Sequence, residues 1–112
     1  MRTKSLLPLF LISVMASGSI LWGPHTGFTE SAISTSAYVA YSVHAADVDG
    51  DGDMDVLSAS LSDDKIAWYE NDGSESFTEH VISTSADGAR IVHAVDVDVD
   101  GDMDMLSASR VD

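Results

Sequence analysis

The chain has no cysteine, so no disulfide can staple it in any compartment. Basic residues are scarce as well: 5 Lys and Arg stand against 19 Asp and Glu, a formal net charge of −14. A surface so poor in cations repels nucleic acid and anionic lipid and attracts metal ions instead. Long apolar runs are missing. The longest, Leu6 to Met15, falls short of the roughly 20 residues that span a bilayer. Helical patterning is missing too, because no window between Phe28 and Val111 places apolar residues at helical spacing.

What is present begins with a leader-like N-terminus. Arg2 and Lys4 precede the apolar run, and Ala16-Ser17-Gly18 supplies small residues, the three-part pattern of a secretory signal over residues 1–19. The alternatives are an uncleaved anchor or a buried helix. Residues 20–27 read as a short lead-in. No acidic residue precedes Glu30, so removal of the leader leaves all 19 acids against Lys65, Arg90 and Arg110, a charge of 3 − 19 = −16. A small exported domain without disulfides needs another stabiliser, and a bound metal is a standard one.

The chain then repeats itself. HAADVDGDGDMDVLSAS from His44 to Ser60 returns from His93 to Ser109 as HAVDVDVDGDMDMLSAS, identical at 14 of 17 positions and offset by 49 residues (93 − 44). Phe28-Thr29-Glu30 and Ile33 to Ala37 recur in the same register. A period near 50 marks stacked supersecondary units, each unable to bury its apolar face alone. We delimit a first repeat at 28–76 and a second, shorter one at 77–112. Short runs rich in Val, Ile, Thr and aromatics, punctuated by Asp, Gly, Asn and Ser, read as strands at Tyr41–Asp47, Asp55–Ser60, Lys65–Glu70 and Phe77–Ser83. Arg90–Asp96 and Met103–Ser109 repeat the first two. Four strands joined by short loops predict an all-β fold built of four-stranded antiparallel blades. Roughly one and a half units do not close a ring, since such arrays generally need about three. The chain is therefore expected to be part of a larger propeller, or to complete itself with other copies.

Between the first two strands of each unit lies a loop crowded with carboxylates. In the first, Asp47, Asp49 and Asp51 occupy positions 1, 3 and 5, Gly52 allows the turn at 6, Asp53 offers a carbonyl at 7, and Asp55 closes the loop at 9. The second supplies Asp96, Asp98, Asp100, Gly101, Asp102 and Asp104 in the same places. Oxygen ligands without His or Cys select hard ions, and a flexible multi-carboxylate loop suits Ca²⁺ better than Mg²⁺. One calcium per loop, two in all, is the expectation; an Asp/Gly-rich turn that binds nothing is the alternative. Position 12 is Ser58 or Ser107 where a helical calcium loop carries a bidentate Glu, so affinity should fall to about 10⁻⁴–10⁻³ M. At position 4 Gly50 is matched by Val99; if the site requires positive φ, the branched residue is strained and the second loop binds more weakly.

These residues resemble a known family. The D-x-D-x-D-G-x-x-D loop resembles the FG-GAP repeats of integrin α-subunit propellers, and DVDGDGDMDVLSAS…KIAWYEND is more similar still to the FG-GAP-like (VCBS-type) repeats of secreted bacterial proteins. The resemblance covers about Phe28 to Asp112. It implies propeller blades with calcium in an exposed hairpin loop of each. The family's metal-binding positions fall on Asp47, Asp49, Asp51, Asp53 and Asp55, and on Asp96, Asp98, Asp100, Asp102 and Asp104.

Other residues offer less chemistry. His44 and His93 are repeat equivalents at strand ends, suited to packing or to orienting the loop. His25 and His80 have no counterparts. Trp68 and Tyr69 point to opposite faces of one strand and are expected to pack between blades. Arg90, standing where the first copy has Tyr41, is placed where it could pair with a neighbouring acid. ISTSA occurs twice without an associated base, so it is no nucleophile. The reading is a non-enzymatic, secreted or cell-surface (or periplasmic) calcium-binding module that meets protein or carbohydrate. The competing readings are a propeller segment of a polysaccharide-active enzyme and a truncated product without independent function.

Overall fold

The computed structural model describes residues 2–6, 9–14 and 27–110, and every regular element among them is a β-strand. They run β1 (Arg2–Leu6), β2 (Leu9–Val14), β3 (Phe28–Ser34), β4 (Ala40–Ala46), β5 (Asp55–Ser60), β6 (Lys65–Asn71), β7 (Phe77–Ser83), β8 (Ala89–Val95) and β9 (Asp104–Ser109). From β4 onward the predicted strands are all found, with ends that agree to within one residue. Three antiparallel sheets result, ordered β1-β2-β3, β4-β5-β6-β7 and β8-β9. The middle one is the four-stranded blade expected from the repeat. The repeat counted from Phe28 and this sheet are out of phase by one strand, because β7 closes its own sheet and β3 closes the preceding one.

Strands β1 and β2 arise from the stretch expected to be a leader. The residues Ala16-Ser17-Gly18, most of the lead-in and the last two residues lie outside the described part. The pairing of β2 with β3 copies that of β6 with β7. Leu9 faces Ser34 and Phe10 faces Ala32 across a register shift, as Ile66 faces Ser83 and Ala67 faces Val81. Since 83 − 34 and 81 − 32 both equal 49, β2 takes the place of a third blade strand.

The sheets stack through both faces of the middle one. Strand β5 is buried along its whole length, as befits an inner strand with a neighbour on each side and a sheet over each face. On one face Ala46, Leu57, Ala59 and Ile66 pack against Ala89, Val92 and Ala94, with Trp68 and Met105 at the margin. On the other, Val56, Ala67 and Tyr69 pack with Ile33 and Phe77. The period-2 alternation expected for Ile66/Trp68 against Ala67/Tyr69 is therefore what separates the two cores. Trp68 also stacks on His80 at 4.5 Å, and His80 meets Glu70 at 2.6 Å.

Polar ties link neighbouring sheets. The His44 and His93 rings lie 4.1 Å apart. Burial, then the charge of His93, holds His44 below its ordinary pKa against an opposing backbone bond at Ala94, so it is neutral at pH 7. Among the described residues Arg90 meets a ring and not an acid: its guanidinium sits 5.3 Å from the centre of the Tyr41 ring, a cation–π contact with its own repeat counterpart. Asp64 receives the Ala86 and Gly88 amides at 3.0 and 2.8 Å, fixing the approach to β8.

The strongest tie is at Lys65, whose buried ammonium donates to the Ser36 carbonyl at 2.7 Å and to Glu79 at 2.8 Å. Burial alone would lower the Lys65 pKa, but the Glu79 hydrogen bond and the charges around it outweigh burial and raise it. Burial likewise pushes Glu79 up, and the Lys65 and Ser36 bonds more than reverse that. A depressed carboxyl stabilises above its unfolded pKa and loses that contribution as pH falls through the folded one. A raised ammonium stabilises below its unfolded pKa and loses it as pH rises through the folded one. The tie is thus whole from about pH 4.5 to about pH 10. Lys65→Met should lower stability by about 1–2 kcal/mol at pH 7. In urea titrations the difference should shrink as pH falls below the ordinary carboxylate range and Glu79 protonates in the parent chain; an undiminished difference in acid would assign the loss to packing.

Candidate metal centre

Each acidic loop is the connection of a hairpin. Ala46 pairs with Asp55 at the mouth of loop 1 (residues 47–54), and Val95 with Asp104 at the mouth of loop 2 (residues 96–103). Asp and Gly fill these loops because their carboxylates accept nearby backbone N–H groups and their backbones tolerate left-handed turns. In loop 1 Asp47 accepts from Gly50 and Gly52 at 2.9 and 3.0 Å, Asp49 from Asp51 at 3.1 Å, and Asp51 from Asp53 at 2.8 Å.

The outcome is convergence. Asp47, Asp49 and Asp55 each present a carboxylate oxygen within 4.8 Å of the others, and Asp96, Asp98 and Asp104 do the same. Calcium–oxygen distances are about 2.3–2.6 Å, so two ligands on one ion lie at most about 5 Å apart. Each triad fits a single ion of that size, and its all-oxygen donor set selects a hard cation. The other predicted residues fall outside the triads. Asp51 and Asp100 turn to the backbone amides of Asp53 and Asp102 at 2.8 and 2.9 Å. Asp53 leans on the next hairpin, its Oδ2 2.6 Å from where a Cβ on Gly73 would stand; Gly73, at φ 82°, leaves that space open.

Asp55 anchors the site. It is fully buried, with one oxygen accepting the Val48 amide at 3.0 Å and the other the Asn71 amide at 2.8 Å. Asn71 in turn donates to the Met54 carbonyl at 3.0 Å and accepts from Gly73 and Glu75 at 3.2 Å. One carboxylate therefore joins loop 1 to the β6–β7 turn. Sequence reasoning placed Asp55 as a ligand but missed Asn71, which occurs once and so leaves no trace in the repeat. Asp49 is exposed, yet its carboxyl is pushed above the ordinary range. Loss of water on its inward side comes first, opposed by the Asp51 amide, and the like charges of Asp51, Asp55 and Glu70 add to it. Like-charge crowding of this kind is relieved by a bound cation.

The two loops differ where expected. Gly50 has φ 77° and Val99 φ 64°, so a β-branched residue occupies a left-handed position. In loop 1 the amide at position 4 reaches Asp47; in loop 2 that role passes to position 5, with Asp100 donating to Asp96 at 3.1 Å. Val99→Gly should raise stability by about 0.5–1 kcal/mol, strain relief exceeding the added freedom of the unfolded chain. It should also bring calcium affinity of the second loop toward that of the first. Parallel thermal melts and calcium titrations of the two chains check both; a variant with unchanged melting and affinity would remove strain as the cause.

The loops sit side by side, with Asp47–Gly50 on one wall and Gly101–Met103 on the other of a cleft of about 250 Å³. Antiparallel sheets stacked face to face, the second and third each with an acidic loop joining its first two strands, have the arrangement of β-propeller blades. The chain belongs to the FG-GAP-like repeat family, whose model matches residues 9–58 and again 47–107. The first match takes in β2, and the shared residues 47–58 are loop 1 with most of β5. Searches of curated proteins and of solved structures gave no match. Among the described residues no helix is long and apolar enough to cross a membrane.

Proposed function

We propose that the chain is an exported, non-catalytic propeller module whose blades are braced by one calcium ion per acidic loop. The observation that carries this reading is the convergence of three carboxylates, twice, at the same point of the repeat. Asp47, Asp49 and Asp55 would hold one ion, and Asp96, Asp98 and Asp104 the other. Bound there, calcium supplies positive charge that offsets crowded carboxylates. The residues themselves do the rest: Asp55 fixes the loop to the neighbouring hairpin, and the other two carboxylates orient the chain around it. With no bidentate Glu at position 12, affinity in the range of about 10⁻⁴–10⁻³ M suits the calcium level outside cells. A module so braced serves as a scaffold or as a surface for extracellular protein or carbohydrate.

Calcium at about a hundredfold over Kd should add roughly 2.7 kcal/mol of stability for each occupied site. Thermal melts by circular dichroism in calcium and in chelator read this directly, and calorimetric titration should resolve two unequal sites. Superimposable melts under the two conditions would refute the metal-braced reading.

A further inference from the structure

The β8-β9 sheet is held to the middle blade by a thin layer of mostly small side chains. Ala89, Val92 and Ala94 meet Ala46, Leu57, Ala59 and Ile66, and the Val92 amide donates across the joint to Ser42 Oγ at 3.4 Å. Alanines bring little apolar area to such a contact, so polar groups beside it carry more of the balance. The polar groups there are two histidines of one repeat position. The His44 and His93 rings lie 4.1 Å apart, 56° from parallel, with His44 half-buried and His93 exposed.

No neighbouring acid offsets a charge on this pair. Strand alternation places Ser42, His44 and Ala46 on the face toward β8. His44 stands opposite Leu57 on β5, and His93 opposite Leu106 on β9, neither of which titrates. The other charged side chain of β8 is Arg90, seated over the Tyr41 ring. Glu70 and His80, on β6 and β7, bond to each other at 2.6 Å, with Leu57 and Trp68 between His80 and His44. Asp47 and Asp96, which follow β4 and β8, accept amides of their own loops. Strand β1 carries Arg2 and Lys4 and adjoins β4, but its sheet covers the opposite face, where Ile33 packs by Val56. Among the described residues no carboxylate pairs with either ring. His44 accordingly lies below its ordinary pKa, through burial first and then His93, in a chain whose formal charge of −14 favours protonation.

We propose that His44 and His93 form an acid-sensitive latch between neighbouring blades: neutral rings pack across the joint, and protonation sets like charges against each other and loosens β8 from β4. Histidine exchanges its proton between about pH 5 and 8, and clustered histidines act as switches at interfaces. A histidine held below its unfolded pKa binds fewer protons in the folded chain than in the unfolded one. The latch is therefore whole above about pH 6.5 and weakens as pH falls below it. The Lys65–Glu79 tie keeps its charges throughout this range, and no part of the latch requires calcium.

Thermal melts of the full chain and of His93→Gln at pH 7.5 and 5.5, in fixed excess calcium, test the proposal. Glutamine keeps a polar side chain that takes no proton. The parent chain should lose more melting temperature between the two pH values than His93→Gln does. His80 and the carboxylates titrate in both chains, so their effects cancel in the comparison. His44→Gln should likewise reduce the loss, and the double variant should reduce it no further, because a single latch is removed in all three. In NMR titrations, His93→Gln should also raise the midpoint of His44. If His44→Gln misfolds, the exposed His93 position alone decides. Equal losses in the parent chain and His93→Gln, or an unmoved His44 midpoint, overturn the proposal, since rings that merely fill space lower melting alike at both pH values.

Discussion

Asp55→Ala is expected to lose about 3–5 kcal/mol of folding stability together with the calcium response of loop 1. The reason is the number of partners one buried carboxylate serves. It accepts the Val48 amide at 3.0 Å and the Asn71 amide at 2.8 Å, and no water reaches it. A hydrogen bond to a charged acceptor contributes about 1.5–3 kcal/mol, and two donors left unsatisfied in a buried site add nothing back. A loss of that size is a large share of the stability of a small domain. Asp55→Asn separates the two roles. The amide keeps one accepting oxygen, so roughly half of the structural loss should return, while the negative charge that draws the cation does not. Urea unfolding with and without calcium measures both quantities. An alanine variant within about 1 kcal/mol of the parent chain would show that loop 1 does not depend on Asp55 for its place in the fold.

How far the sequence disclosed this arrangement depended on whether a residue's partners were local. Strands β4 to β9 were legible because each is a short run between Asp-, Gly-, Asn- and Ser-rich punctuation, and a strand end is a local event. The left-handed backbone at Val99 was legible for the same reason, by comparison with Gly50 in an otherwise matching loop. Strands β1 and β2 were not, because a basic start followed by an apolar run has the composition of a leader whatever it pairs with. Nor was the division of labour among the acids. Nothing in the D-x-D-x-D pattern says that Asp53 leans on the β6–β7 turn while Asp55 goes under the sheet. That follows from the Asn71 amide and the space at Gly73, which belong to a different hairpin. Arg90 met Tyr41 instead of an acid because stacked blades bring repeat equivalents side by side, a consequence of the fold that no single strand reveals.

The second large effect sets two leucines of the same repeat position against each other. Leu57→Ala should cost about 2–5 kcal/mol, since Leu57 is fully buried beneath β8 and its loss leaves a cavity among Ala46, Ala59, Ile66 and Val92. Leu106→Ala should stay within about 0.5 kcal/mol of the parent chain when unfolding is followed at concentrations where the chain is monomeric, because Leu106 is already 48% exposed. Local sequence cannot account for such a contrast: both residues sit in L-S-A-S, each three positions after the Met of an acidic loop. What differs is the presence of a following sheet. Chemical denaturation of the two variants in parallel reads the value of one blade's cover over the next, with the residue type and strand position held constant. Comparable losses at the two sites would mean that the β8–β9 sheet contributes little to holding the middle blade, and that each blade is stabilised chiefly from within.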